Sequence, residues 1–191
     1  MYRLLILILT TIIYFLSPLA AAAQINTDQV MRIGQNTLYF EDYVLSIQYF
    51  SRVINVKPYL AKPYFLRAVA KLNLEDYPGA EADATLAIER NPFIVDAWEV
   101  RGVARQNLGK TAEAVADYDK ALEMLPDNRG LLYNKAIAQQ DLGNLEGADS
   151  TYNILLRRFR ISTGDILAGP DSDWSRRIPS EPKKTSTVLY R

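Results

Sequence analysis

VDAWEVRGVARQNLGKTAEAVADYDKALEMLPDN, residues 95–128, contains two helical patterns and the signals that end them. Ala97, Trp98, Gly102, Arg105 and Leu108 lie three or four apart and so share one helical side. Gly109 follows as a left-handed helix stop. Ala114, Val115, Tyr118, Ala121 and Leu122 resume the helical spacing, and Pro126 closes it. Proline lacks an N–H donor and clashes with the preceding turn. The same signals recur every 34 residues: Pro58, Pro92 and Pro126; Gly34, Ala68, Gly102 and Ala136; Phe40, Leu74, Leu108 and Leu142; Ser46, Ala80, Ala114 and Ala148. Small, large and helix-breaking residues in one register predict a repeat architecture.

The recurring small residues have a packing reason. Gly102 on the first helix and Ala114 and Ala121 on the second let two antiparallel helices approach, and Trp98 and Tyr118 fill the remaining space. Asp42, Asp76 and Asn144 precede second helices and are placed to accept from free backbone N–H groups. Pro78 falls in a first turn, where proline is tolerated.

These residues resemble the tetratricopeptide repeat family, whose unit is a 34-residue helix–turn–helix. Residues 95–128 carry the pattern through Trp98, Gly102, Leu108, Gly109, Ala114, Tyr118, Ala121 and Pro126. Residues 61–94 keep Tyr64, Ala68, Leu74, Tyr77, Ala80, Ala87 and Pro92, and depart at Ala84, where an aromatic is usual. Residues 27–60 keep Gly34, Tyr43, Phe50 and Pro58, with Ser46 and Val53 in place of the usual alanines. Residues 129–160 keep Leu132, Ala136, Leu142, Gly143, Ala148 and Tyr152, but have Arg160 in place of the closing proline. The resemblance implies an all-α solenoid of about four antiparallel helix pairs, stacked as a right-handed superhelix over 24–160.

Two segments flank the repeats. Arg3, the apolar run Leu4–Leu16, the Ser17-Pro18 break and Ala20–Ala23 read as a secretory signal peptide over 1–23. The run is short for a membrane span. The expectation is an exported, soluble mature chain in a bacterial periplasm, with membrane tethering by an uncleaved signal anchor as the alternative. After Arg160 the period vanishes, and 161–191 is rich in Ser, Pro, Gly and charge. A short helix or turn is expected near 161–167, then little fixed structure. Solenoids need a polar-faced cap on the last repeat, and no amphipathic cap helix is visible. The outer side of the fourth unit, with Leu155 and Leu156, is therefore expected to be open. Three readings stand: a tail folding back through Ile166, Leu167 and Trp174, a docking edge for a partner or a second copy, or a piece of a longer array.

Composition excludes several functions. The chain has neither Cys nor His. That removes disulfides, a thiol nucleophile, Cys/His metal sites and the commonest general base. Residues 24–156 are net acidic and 157–191 net basic, which does not give the basic face that nucleic-acid binding wants. Asp171-Ser172-Asp173 is too short for a calcium loop. Asp117 and Asp119 read as solvent-facing charges, and Arg157, Arg158 and Arg160 as complements to a helix dipole. No phosphate loop or nucleophile elbow is present. No catalytic site, cofactor or metal is expected, and the chain is not read as an enzyme.

The function that the resemblance implies is protein binding, as an interaction module or scaffold. Its concave face would expose Met31, Gln35, Leu38, Phe65, Val69, Leu72, Glu99, Val103, Gln106, Tyr133, Ile137 and Gln140. Two readings of this set stay open: a groove for an extended peptide or helix, or inter-helix packing. Some family members clamp a C-terminal carboxylate with Lys and Asn. Here the matching places hold Met31, Gln35, Leu66, Asp96 and Val100, so the specificity for heat-shock chaperone tails is not expected. A structural role by self-association through the last repeat is the alternative.

Overall fold

Helix boundaries follow from how each turn satisfies its free backbone groups. A computed structural model describes residues 26–163 of the chain, with side chains to 158. It contains α1 (Thr27–Tyr39), α2 (Tyr43–Val56), α3 (Ala61–Asn73), α4 (Tyr77–Arg90), α5 (Val95–Asn107), α6 (Thr111–Met124), α7 (Arg129–Asp141) and α8 (Leu145–Thr163). No strand occurs among the described residues, and none of their helices is long and apolar enough to cross a membrane. The signal-peptide reading of 1–23 and the tail beyond 163 lie outside the described residues.

Each turn within a pair uses one device. At its end a first helix passes through a residue of positive φ: Glu41 (63°), Glu75 (60°), Gly109 (76°) and Gly143 (74°). The next N–H then reaches back to the helix, as from Asp42 to the Thr37 carbonyl (2.8 Å) and from Lys110 to that of Arg105 (2.8 Å). This is the Schellman closure. Asp42, Asp76 and Asn144 at once cap the second helix, accepting from the N–H groups of Leu45, Gly79 and Gly147. Lys110 makes no such side-chain cap.

Consecutive helices pack side by side, and first helices also touch the first helices of adjacent units. Close approach within the first and third pairs is set by one small–large contact. A Cβ on Gly34 would sit 2.8 Å from Phe50 Cε1, and one on Gly102 would sit 2.6 Å from Tyr118 Cε1. In the second pair both partners are alanines, Ala68 and Ala84, each fully buried. The departure from the family pattern at Ala84 is thus matched by a larger residue across the contact.

The interior also holds charge. Arg67 donates twice to Asp83 (2.8 and 2.7 Å) and Arg101 twice to Asp117 (3.0 and 2.7 Å). Lys71 and Arg105 add second cations to the same carboxylates. Asp83 and Asp117 are each 2 % exposed, so Asp117 is not the solvent-facing charge its polar neighbours suggest. Arg158 likewise does more than face a helix dipole. It donates to the Pro126 carbonyl and pairs with Asp127, as Arg90 donates to the Pro58 carbonyl.

Candidate functional site

The residues expected on a concave face lie on α1, α3, α5 and α7, and they divide by burial. Phe65, Val69 and Leu72 on α3 are core, at 6 %, 1 % and 6 % exposure. They do not line an open groove. Their helix is flanked by α1 and α5, and Met31, Leu38 and Val103 pack against the cluster these residues belong to. Met31, Gln35 and Leu38 are half-buried as a result. Glu99, Val103, Gln106 and Ile137 keep partial exposure, while Tyr133 and Gln140 are open. The accessible surface therefore lies mainly on α5 and α7, where it is polar and aromatic.

Two hydrogen bonds tie those two helices together. Asn134 Nδ2 donates to Glu99 Oε1 (3.0 Å), and Gln106 Nε2 donates to Asp141 Oδ2 (2.7 Å). Tyr118 Oη donates to Gln106 Oε1 (3.2 Å) and so fixes the direction of that amide. Burial, with Glu99, Asp117 and Asp141 nearby, pushes the Tyr118 phenol far up, which keeps it a donor. Glu99 is the group tuned toward neutrality. Desolvation raises its pKa to about 7, the negative charge of Asp96 adds to this, and the Asn134 bond opposes it. Both cross-helix pairs are 35 residues apart, one repeat plus one position. Asn134, Asp141 and Tyr118 were missed by sequence reasoning, although this spacing was visible in it.

Asp96 and Asp141 give the α5–α7 surface a negative character, to which Glu99 adds only as it ionises near pH 7, and Tyr133 adds an aromatic face that contacts Tyr152 edge-on at 6.5 Å. Such a surface can bind cationic and apolar groups. Glu99 has neither a histidine nor a cysteine to share a proton with, since the chain contains neither. The places matching the carboxylate clamp are unsuited to it: Leu66 and Val100 are buried, and Asp96 is acidic.

The tetratricopeptide repeat family model matches residues 65–129. Among solved structures, MamA superposes with a TM-score of 0.71 at 16 % identity, over 77 % of this chain and 86 % of that one. The first tetratricopeptide domain of Spaghetti (RPAP3), bound to the HSP90 peptide SRMEEVD, gives a TM-score of 0.60 at 27 % identity, covering 61 % and 93 %. The tetratricopeptide domain of OM64 from Arabidopsis gives 0.59 at 25 % identity, covering 60 % and 94 %. A comparison with curated protein sequences finds no match. Residues 65–129 thus match the tetratricopeptide repeat model in sequence, and the described helices share the fold of these solved structures.

Proposed function

We propose that this chain is an exported interaction module that holds a peptide or a partner protein in its concave groove. The tetratricopeptide fold is in general a protein-binding scaffold, and the Spaghetti domain is seen with a peptide bound. The observation that carries the reading here is the α5–α7 half of the groove. Its polar floor is already cross-tied by Glu99–Asn134 and Gln106–Asp141, while Tyr133 and Gln140 stay open above it. A preformed surface limits the ordering cost of association.

The ligand differs from that of the Spaghetti domain. SRMEEVD ends in acidic residues. Asp96 and Asp141 would repel it, and favour a segment bearing Lys or Arg beside an apolar side chain. Export rests on the leader-like segment 1–23, and the periplasm is the compartment it suggests.

The test is selection of random dodecapeptides on the chain from residue 24 onward. The selected peptides are then titrated against it and against Tyr133→Ala/Gln140→Ala. Binders rich in Lys or Arg that lose affinity on that variant, with unchanged circular dichroism, support the groove. Equal affinity for both proteins moves the site elsewhere. An N-terminus beginning at Met1 in the mature secreted or periplasmic fraction would overturn cleavage of the leader.

A further inference from the structure

The junctions between repeats share a polar contact whose other half, at the last repeat, does not occur among the described residues. At each internal junction a first helix covers the second helix before it: α3 on α2, α5 on α4, α7 on α6. A cation on the covering helix crosses the junction every time. Arg67 Nη1 donates to Ser51 Oγ (2.9 Å), Arg101 Nη1 to Thr85 Oγ1 (3.4 Å), and Lys135 Nζ pairs with Asp119 Oδ1 (2.6 Å). These three contacts repeat in the 34-residue register, which places Asn153 of α8 at the next acceptor position.

Asn153 belongs to a stripe with Leu145, Asp149 and Leu156, successive members lying three or four apart on one side of the helix. All four are exposed, whereas their counterparts Thr111, Val115, Asp119 and Leu122 on α6 are half-buried beneath α7. Leu156 is 41 % exposed against 8 % for Ile54 and 7 % for Ile88 in the same register.

We propose that this face of α8 docks a helix of a partner protein chemically like α3, α5 and α7. That helix carries Arg or Lys opposite Asn153. It has apolar or small residues three and four positions before the cation and small residues one and three after it. The pattern is read from Pro63/Tyr64–Arg67–Ala68/Ala70, Ala97/Trp98–Arg101–Gly102/Ala104 and Leu131/Leu132–Lys135–Ala136/Ala138. The partner helix thus continues an interface used three times inside the chain.

Two other occupants fit the register less well. The sequence that follows has Gly169 and Pro170 at the cation and small-residue positions, and no Lys or Arg from 161 to 175. A second copy stacking head to tail would offer α1, with Ile33 at the cation position. Gln29 and Asn36 are exposed on that helix, where α3, α5 and α7 bury apolar or small residues.

The probe is a fluorescent peptide of residues 128–142, added to the full chain and read by anisotropy, with a second peptide carrying Lys135→Glu. The first peptide should bind, and the second should bind about tenfold more weakly. In the full chain, Leu156→Asp should weaken the first peptide, and Asn153→Lys should reverse the preference between the two. Circular dichroism checks that both variants fold. Equal binding of the two peptides overturns the proposal, as does no binding of the first. So does a two-fold dimer of the full chain, seen by light scattering and broken by Leu156→Asp, because a second copy would then be the occupant.

Discussion

Glu99 shows how one side chain couples the groove to pH. Its carboxyl titrates at about 7 in the folded chain, against an ordinary value of 4.5, so between these values the folded state binds the proton more tightly. Stability from this group is therefore full below about pH 4.5 and falls as pH rises toward 7. The loss amounts to as much as ~3 kcal/mol, at about 1.4 kcal/mol per pKa unit. Glu99→Gln keeps an acceptor for Asn134 and removes the titration. It should leave stability at pH 4 nearly unchanged and raise it at pH 8, as read from urea midpoints at both pH values. A second residue-scale feature is backbone strain at Glu75, whose φ of 60° falls in the left-handed region. That region costs a non-glycine residue roughly 1–2 kcal/mol, partly offset by the entropy glycine loses on folding. Glu75→Gly should therefore raise stability by about 0.5 kcal/mol, visible as a higher urea midpoint with an unchanged slope. Gly109 and Gly143 announce this conformation in the sequence, but Glu41 and Glu75 do not, because nothing in a glutamate codon marks a positive φ.

At the scale of the helix pair, the fold was largely legible, because it depends on a small residue facing a large one in a fixed register. Gly102 and Tyr118 are one such contact, and Ala68 and Ala84 are the alternative solution. A methyl group on Gly102 would lie 2.6 Å from the Tyr118 ring, and that ring is fully buried. Gly102→Ala should cost about 1–3 kcal/mol from overpacking, in spite of the helix propensity alanine gains. In a Tyr118→Ala background the pair would copy Ala68 and Ala84, and the same change should become neutral or favourable. A double-mutant cycle should give a coupling of ~1 kcal/mol or more, and additive effects would show that this contact does not set the helix spacing. The groove was less legible at this scale. A helical face predicts which side Phe65, Val69 and Leu72 occupy, but their burial depends on Met31, Leu38 and Val103 from two neighbouring units.

Across the whole molecule, stability in a stack of repeats depends on the junctions as much as on the units. The charged interior spans those junctions. Arg101 holds Asp117 while reaching Thr85, and Arg105 holds Asp117 while reaching Glu81, which Lys110 also holds. The third unit is thereby tied to the second by two arginines that Asp117, itself 2 % exposed, holds in place. The array was hard to see in sequence because each contact joins residues 12 to 29 apart on different helices. Arg67/Asp83 and Arg101/Asp117 nevertheless repeat in the 34-residue period as opposite charges 16 apart. Removing one partner of a buried pair leaves the other charge stranded, which costs about 3–5 kcal/mol, whereas replacing both by apolar residues is often neutral. Asp117→Ala should therefore lower unfolding free energy by about that amount and split the denaturation curve, as the third and fourth units uncouple from the second. Arg101→Met with Asp117→Leu removes the central pair but leaves Arg105 its bond to Glu81, and should recover most of the loss and restore a single transition. If the single variant unfolds in one step with the parent midpoint, the charged array is not what joins the units, and apolar contact alone holds the stack.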